Sequence, residues 1–175
     1  AWRAIEPATA PGDPTDGERD AEALAEVGKD LVIAYEGAHR LRRVPLAALS
    51  SPGAALPTPP QLSEPHNVGI EALVGLEGGA LLAIAEDLRT PSGDLAAWLI
   101  EGHRVESLAY VPAAGFAPTG ADRLDDTVYV LERGLSLGGL LARVVMLDAA
   151  DVRPGARLVG RELAVLRPPA VSENF

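Results

Sequence analysis

A short apolar strand pattern that ends in glutamate occurs three times along this chain. The copies read LVIAYEG, LLAIAED and TVYVLER, and they span Leu31–Gly37, Leu81–Asp87 and Thr127–Arg133. Their glutamates are 50 and 46 residues apart. A period of this length, carried by short β-rich segments, is typical of propeller blades and similar β arrays.

A second apolar segment precedes each copy. The triplet Glu-Ala-Leu occurs in two of these segments, at Glu22–Leu24 and Glu71–Leu73, which lie 49 residues apart. The third segment has Thr119 where the other two have a carboxylate. Turn-forming residues such as Gly28-Lys29-Asp30 separate the two strands of each pair, so each pair is predicted to form a β-hairpin.

Further strand-like segments follow each hairpin, and together they predict a fold class. The third segments are His39–Leu46, Ala96–Glu101 and Leu140–Leu147, and the fourth segments are Val105–Val111 and Leu158–Leu166. In the first repeat the fourth place is taken by Pro52–Pro65, which holds five prolines and is predicted to be a loop or a poor edge strand. Four strands per roughly 50 residues predict an all-β fold of the β-propeller type.

The predicted blades are residues 20–65, 66–112 and 116–168 of a single propeller domain that covers 1–175. Residues 1–6 and 171–175 are assigned to flanking blades. Because propellers close with typically 4–8 blades, about three blades are an incomplete set, and the missing flanking blades are expected to be partners of this chain. An ordinary β-sandwich with similar strands is the alternative.

Charge and composition exclude several classes of function. The 175-residue chain has a net charge of −10 and a pI near 4.7, which disfavours nucleic-acid or anionic-membrane binding. It has no cysteine, so disulfides, thiolate nucleophiles and cysteine zinc sites are excluded. No apolar run approaches the roughly 18 residues that a membrane-spanning helix needs.

Acidic side chains of the predicted first strands are the candidate metal ligands. In a propeller the first strand of each blade lines the central channel, so equivalent positions converge there. Converging carboxylates repel one another, and a hard cation such as Ca²⁺ relieves that repulsion through oxygen ligands. The predicted ligands are Asp20, Glu22, Asn67 and Glu71. In the alternative, each glutamate caps a turn or pairs with an arginine of a neighbouring blade.

The repeated glutamates at the ends of the second strands are assigned a structural or secondary role. Glu36, Glu86 and Glu132 are expected to accept hydrogen bonds from the backbone of the following turn. The arginines near them in the sequence are expected to pair with them or to bind a phosphate, and these are Arg40, Arg43, Arg133 and Arg143. The histidines, His39, His66 and His103, occur singly. No nucleophile elbow, P-loop or zinc-protease motif is present.

An ordered set of segments resembles the phytase-like β-propeller family described as "esterase-like activity of phytase". The resemblance runs through almost the whole chain, and the ordered set carries it more than any single motif. The segments are DAEAL at Asp20–Leu24, IAYEGAHRL at Ile33–Leu41, NVGIEAL at Asn67–Leu73, YVLERGLS at Tyr129–Ser136 and SENF at Ser172–Phe175. The family's recurring acidic positions correspond to Asp20, Glu22, Glu36, Glu71, Glu86 and Glu132.

The resemblance implies hydrolysis of phosphoester or ester bonds. With the predicted metal ligands, it leads to the hypothesis of a metal-assisted hydrolase with its site at the channel. On this hypothesis Ca²⁺ is the expected cofactor and a small, phosphorylated molecule is the expected substrate. The resemblance implies that the protein is located in the periplasm or the extracellular medium. His39 and Arg40 are the residues expected to bind the phosphate and take part in catalysis. The alternative is a non-catalytic propeller that binds a ligand or partner and whose glutamates are structural.

Overall fold

The computed structural model describes residues 21–36, 39–63 and 69–167, and these form three β-sheets without an α-helix. The first sheet is antiparallel and has the strand order β1-β2-β3-β4. Its strands are β1 (Ala21–Val27), β2 (Asp30–Tyr35), β3 (Arg40–Pro45) and β4 (Ala54–Leu56). The proline-rich segment thus supplies only a three-residue edge strand, as predicted, followed by a 3₁₀ turn over Pro60–Ser63.

The second and third sheets repeat this plan. The second sheet contains β5 (Ile70–Gly75), β6 (Leu81–Arg89), β7 (Leu95–Glu101) and β8 (Arg104–Val111). The third contains β9 (Phe116–Leu124), β10 (Thr127–Ser136), β11 (Gly139–Asp148) and β13 (Arg161–Leu166). In both sheets these four strands pair in antiparallel fashion and in this order, while β12 (Arg157–Val159) joins the edge of the second sheet.

Tight turns set the register of the predicted hairpins. Val27 pairs with Asp30 across a two-residue turn in which Gly28 has φ +65°, a conformation that glycine adopts at little cost. Leu124 pairs with Thr127 across a turn in which Asp125 has φ +53°. Aspartate is one of the side chains that tolerate this region, so Asp125 fits the turn.

The second sheet lies between the other two and is buried on both faces. One of its faces packs against the first sheet through residues such as Val32, Leu73 and Trp98. Its other face packs against the third sheet through residues such as Ile84 and Val130. A strand buried on both sides needs a continuous apolar sequence, and this explains the unbroken run Leu81–Ala85 in β6.

The segment Leu158–Leu166 departs from the single strand predicted for it. It divides at Gly160: β12 pairs in parallel with β8 of the second sheet, and β13 pairs with β11 of the third. A side chain at position 160 would collide with Val145 Cγ1, so a glycine allows the chain to pass closely between the sheets. The prediction of a single strand was wrong because an apolar run does not indicate which sheet its residues join.

The first strands of the three sheets, β1, β5 and β9, are all edge strands, and β5 lies against both of the others. The all-β prediction is confirmed, with three sheets and no closed barrel in the described part of the chain. The number of blades and the assignment of 1–175 to one domain remain predictions. None of the described residues forms a helix with the length and apolar character needed to cross a membrane.

Candidate functional site

Each first strand carries a β-bulge at the position of the repeated polar residue. In the first hairpin Ala21 pairs with Tyr35 and Ala23 with Ala34, so Glu22 is the extra residue. In the second, Ile70 pairs with Ala85 and Ala72 with Ile84, which leaves Glu71 as the extra residue. In the third, Pro118 and Gly120 pair with adjacent residues of β10 and leave Thr119 between them. Bulges redirect side chains and often lie beside active sites.

The bulge reverses the alternation of side chains along the strand. Ile70 and Leu73 face the core between the first and second sheets, although they are three residues apart. Ala72 and Val74 face the core between the second and third sheets. An uninterrupted strand would place Ile70 and Ala72 on the same face, so one extra residue at Glu71 accounts for the change.

Four half-buried glutamates approach one another at this edge of the first two sheets. Burial and the negative charges of Glu22, Glu86 and Glu36 raise the pKa of Glu71 from 4.5 to about 7. The positive charge of Arg133 acts in the opposite direction but does not cancel them. Glu71 therefore holds a proton over much of the neutral range, while an isolated glutamate would be ionised.

Two of the four glutamates also contact the neighbouring sheet or its connecting segment. An oxygen of Glu86 lies 3.7 Å from an Nη atom of Arg133 in β10, which links the second sheet to the third. Glu36 follows β2 and lies against Gly69, the residue directly before β5. We refer to Glu22, Glu36, Glu71 and Glu86 as the glutamate cluster.

The third repeated glutamate has different surroundings. Glu132 is fully buried and accepts a hydrogen bond of 2.7 Å from the hydroxyl of Tyr110 in β8. Its other oxygen accepts a 2.5 Å hydrogen bond from Arg143, whose Nε donates to Glu162 at 2.9 Å. Burial and the Glu132 carboxylate raise the pKa of Tyr110 well above its usual range. This network joins the second sheet to the third and leaves no oxygen of Glu132 for a ligand.

The expectation that all three repeated glutamates end their strands holds only for Glu36. Glu86 lies inside β6, and Glu132 lies inside β10. The pairing of β6 with β7 is irregular between Ile84 and Arg89, and β10 continues to a hairpin with β11. Both strands therefore extend beyond the short apolar pattern from which their ends were predicted.

The predicted phosphate-binding residues His39 and Arg40 lie at the start of β3. His39 has φ +37°, an unusual backbone conformation for a residue other than glycine. The guanidinium of Arg40 stacks over the ring of Tyr35 at 4.6 Å, a cation–π contact between paired residues of β2 and β3. Tyr35 directly precedes Glu36, so Arg40 belongs to the end of the sheet that carries the glutamate cluster.

The predicted metal ligands are only partly within the described residues. Glu22 and Glu71 are brought together, whereas Asp20 and Asn67 lie outside the described ranges, as does His66. Within those ranges, no group of three or more histidine, aspartate or glutamate side chains is arranged to hold a metal ion. Carboxylate oxygens are nevertheless the ligands that Ca²⁺ prefers, and the negative charges of Glu22, Glu86 and Glu36 add to the effect of burial in raising the pKa of Glu71.

Sequence reasoning placed Arg133 and Arg143 among the arginines that could pair with the repeated glutamates, and they pair with Glu86 and Glu132, but it did not identify Tyr110 as a partner of Glu132. Arg133 follows a repeated glutamate in the sequence, but its contact with Glu86 depends on how two sheets pack. The bulges were also not predicted from the sequence, although the Glu-Ala-Leu triplets indicate where they lie. A charged residue next to Ile70, in a strand buried on both faces, breaks the apolar pattern at the position of the bulge.

Comparison with known proteins gives one result that bears on identity. No curated protein matches the sequence. The family model described as "Phytase-like: Esterase-like activity of phytase" matches residues 4–174, which is nearly the entire chain. The match includes all three sheets and the glutamate cluster, and the chain belongs to the phytase-like family.

Proposed function

We propose that this chain forms part of a hydrolase for phosphoester or ester bonds and that the glutamate cluster is its reaction site. The observation that carries the proposal is the convergence of four half-buried glutamates from two sheets, where burial and the neighbouring charges raise the pKa of Glu71 to about 7. Membership of the phytase-like family supports a hydrolase. Perturbed carboxyl groups brought together in this way are characteristic of catalytic sites.

Without a bound metal ion, Glu71 is the proton donor of the proposed reaction; as a ligand of Ca²⁺ it would be ionised and could not act as the acid. A carboxyl group with a pKa of about 7 is suited to protonate the leaving oxygen of an ester at neutral pH. A neighbouring carboxylate of the cluster, Glu22 or Glu86, orients the attacking water. Arg133, which contacts Glu86, supplies positive charge for the oxygens that become more negative in the transition state.

Ca²⁺ is the proposed cofactor, and Glu22 and Glu71 are its proposed ligands within the described residues. Asp20 and Asn67 are proposed as further oxygen ligands from the predicted set. A bound Ca²⁺ would supply Lewis-acid polarisation of the phosphoryl or carbonyl oxygen. Because it would compete with the proton of Glu71, metal binding is expected to weaken as the pH falls below 7.

The three sheets are proposed to be consecutive blades of a propeller. The support is the side-by-side packing of β1, β5 and β9, which are the first strands of their sheets. In this arrangement the bulges of Glu22 and Glu71 lie on the channel side, where a small phosphorylated substrate would enter. Export to the periplasm or the medium is part of the same proposal and follows from the resemblance alone.

Hydrolysis of p-nitrophenyl phosphate, bis-p-nitrophenyl phosphate and p-nitrophenyl acetate tests the proposal, with Ca²⁺ and with a chelator. We expect Glu71→Gln to lower kcat/KM about 100-fold, the lower end of the usual contribution of an acid–base group. Glu106→Gln is the matched control, because Glu106 is exposed on β8 and outside the cluster. Loss of the activity in both variants alike would contradict a catalytic role for Glu71.

A protein without turnover on any of the three substrates would be a ligand-binding member of the family. Elemental analysis of the purified protein and Ca²⁺ titration followed by calorimetry then decide the metal proposal separately. Binding of Ca²⁺ that is lost in Glu71→Gln and kept in Glu106→Gln supports the cluster as a metal site. The same affinity in all three proteins excludes it.

A further inference from the structure

A cleft of about 470 Å³ opens between the second and third sheets. It is bounded by the turn between β6 and β7, by the end of β10 and by the segment 112–115, which connects the two sheets. Arg133 lines this cleft and also contacts Glu86 of the glutamate cluster, so the cleft adjoins the proposed reaction site. A volume of this order is typical of sites for small molecules.

Apolar side chains make up most of the lining of the cleft, and they include Val111, Phe116 and Leu135. The ring of Phe116 lies against Gly134 of the paired strand, where an added Cβ would come 3.0 Å from two ring carbons. Leu135 is 81% exposed, although burial of a leucine side chain is favourable. A ligand with an apolar group can cover this leucine and the adjacent ring.

The charged side chains of the cleft already have partners of opposite charge. Among the described residues, those that line the cleft are Arg89, Asp94 and Arg133. Arg89 lies 3.3 Å from Asp87, and Arg133 contacts Glu86 at 3.7 Å. Asp94 accepts hydrogen bonds of 2.7 Å and 3.0 Å from Arg157. The cleft is therefore suited to an uncharged group more than to an ion.

We propose that the cleft binds the uncharged, apolar acyl chain of a carboxylic ester and that Phe116 and Leu135 set the preference for this chain. The inference rests on the proposed function, in which Arg133 stabilises the oxygen that gains negative charge. The acyl chain is attached to the same carbon as that oxygen, so it lies next to Arg133 and reaches the cleft. The leaving alcohol is directed toward Glu71. Of the bonds that the proposed function includes, carboxylic esters are thus favoured over phosphoesters.

Hydrolysis of such an ester needs water as its only co-reactant. The oxygen of the attacking water forms a bond to the carbonyl carbon, and a proton of the water passes to a carboxylate of the glutamate cluster. The bond to the leaving oxygen breaks as that oxygen takes the proton of Glu71. The products are the carboxylic acid, whose chain lies in the cleft, and the free alcohol.

Titration of the full chain with hexanamide, followed by NMR, tests the subsite without turnover, since this amide carries an uncharged apolar chain. We expect saturable shifts for residues of the cleft and an affinity about fivefold lower in Leu135→Ser, which removes an apolar contact. Acetamide, which lacks the longer chain, should give no saturable shift. Leu124→Ser is the matched control, because Leu124 is also exposed but lies at the opposite end of β9 from Phe116.

Esters of 4-nitrophenol with acyl chains of increasing length test the same subsite through turnover. We expect kcat/KM to rise about tenfold from the acetate to the butyrate, because each buried methylene contributes a factor of about three to four. The rise should be smaller in Leu135→Ser and should keep its wild-type size in Leu124→Ser. Thermal unfolding of both variants checks that they are folded.

The two tests separate the subsite from the proposed function. The subsite would be overturned by wild-type protein that does not bind hexanamide, by binding that is unchanged in Leu135→Ser, or by equal kcat/KM for acetate and butyrate. Hydrolysis of either ester in such a case would still support the hydrolase. Binding of hexanamide in the cleft of a protein that hydrolyses neither esters nor phosphoesters would keep the apolar site and reject the hydrolase.

Discussion

The hydroxyl of Tyr110 donates a 2.7 Å hydrogen bond to Glu132 across the boundary between the second and third sheets. Both side chains are fully buried, and Arg143 balances the charge of Glu132. A buried carboxylate is costly unless its oxygens are paired. The pair therefore makes the packing of two sheets depend on a few polar bonds.

Removal of Glu132 or of its partners should lower stability to different degrees. We expect Glu132→Ala to cost about 3–5 kcal/mol of unfolding free energy, because it leaves Arg143 and Tyr110 without their buried acceptor. Tyr110→Phe removes one hydrogen bond to a charged group and should cost about 2 kcal/mol. Urea unfolding measures both values. Equal and small losses in the two variants would show that the network contributes little.

The carboxyl group of Glu71 should make stability decrease as the pH rises. Its pKa is about 7 in the folded chain and 4.5 in the reference state, so between these values the folded protein holds a proton that the unfolded chain releases. Stability is then lost between about pH 4.5 and 7. The loss is about 1–2 kcal/mol after allowance for solvent screening of a half-buried group.

Glu71→Gln removes this titration and should flatten the pH dependence over the same range. The variant should also be more stable than wild type at pH 8, where the wild-type protein carries the additional buried charge. Glu106→Gln should retain the wild-type slope. Chemical unfolding at intervals of pH gives the comparison, and a wild-type slope in Glu71→Gln would assign the effect to other groups.

A methyl group at position 75 should disturb the packing of the first sheet on the second. An added Cβ at Gly75 would collide with the backbone carbonyl of Glu26, which cannot move without displacing β1. We expect Gly75→Ala to cost about 1–3 kcal/mol, the usual range for overpacking. Gly120→Ala in β9 is the control, because the space around Gly120 is open and its backbone is not left-handed. Thermal unfolding of the two variants compares the sites.

The bonds between Asp94 and Arg157 should hold β12 against the second sheet. Arg157→Ala removes both hydrogen bonds, so that β12 is held by its short parallel ladder with β8 and by the buried side chain of Leu158. Backbone amides of β12 should then exchange with solvent faster, while those of β13 keep their wild-type rates. Hydrogen exchange measured by mass spectrometry tests this, and unchanged exchange in β12 would show that the ladder and the burial of Leu158 are sufficient.

Below the ordinary pKa of aspartate, the wild-type protein should approach the behaviour of Arg157→Ala. Arg157 lowers the pKa of Asp94 in the folded chain, so the stabilising pair is present above pH 3.8 and is lost as the pH falls through the folded value. Hydrogen exchange at pH 5 and at progressively lower pH compares the two proteins. A constant difference between them at every pH would argue against the pair.

Local patterns were sufficient to predict the hairpins but not the contacts between sheets. Val27 and Asp30 flank a glycine-containing turn, and the alternation around them indicates two paired strands. The apolar run in Leu158–Leu166 gave no sign that its halves belong to different sheets. Leu62 was assigned to a loop, yet it is almost fully buried in the same core cluster as Trp98, whose indole donates to the neighbouring Gln61.

The candidate site was predictable to a similar degree. Glu22 and Glu71 were selected because they repeat, and the structure brings them together. Arg133 was predicted to be a possible partner of the repeated glutamates, but its choice of Glu86 was not, because that contact joins strands that are distant in sequence. Glu36, Glu86 and Glu132 occupy equivalent positions of the repeat. Glu132 nevertheless lies in a buried hydrogen-bond network, whereas Glu36 and Glu86 belong to the glutamate cluster. Repetition identifies equivalent backbone positions and not equivalent surroundings.

The bulges at Glu22, Glu71 and Thr119 free one side chain in each first strand from the constraints of strand pairing. The extra residue takes no part in the ladder, so its side chain can change without altering strand pairing. Thr119 illustrates such a change, since its hydroxyl bonds within its own sheet, to the carbonyl of Leu131 at 3.5 Å. Each sheet thus has one position at which a mutation can exchange a charged side chain for a neutral one. The reactivity of the three sheets can therefore evolve by single substitutions while their fold stays unchanged.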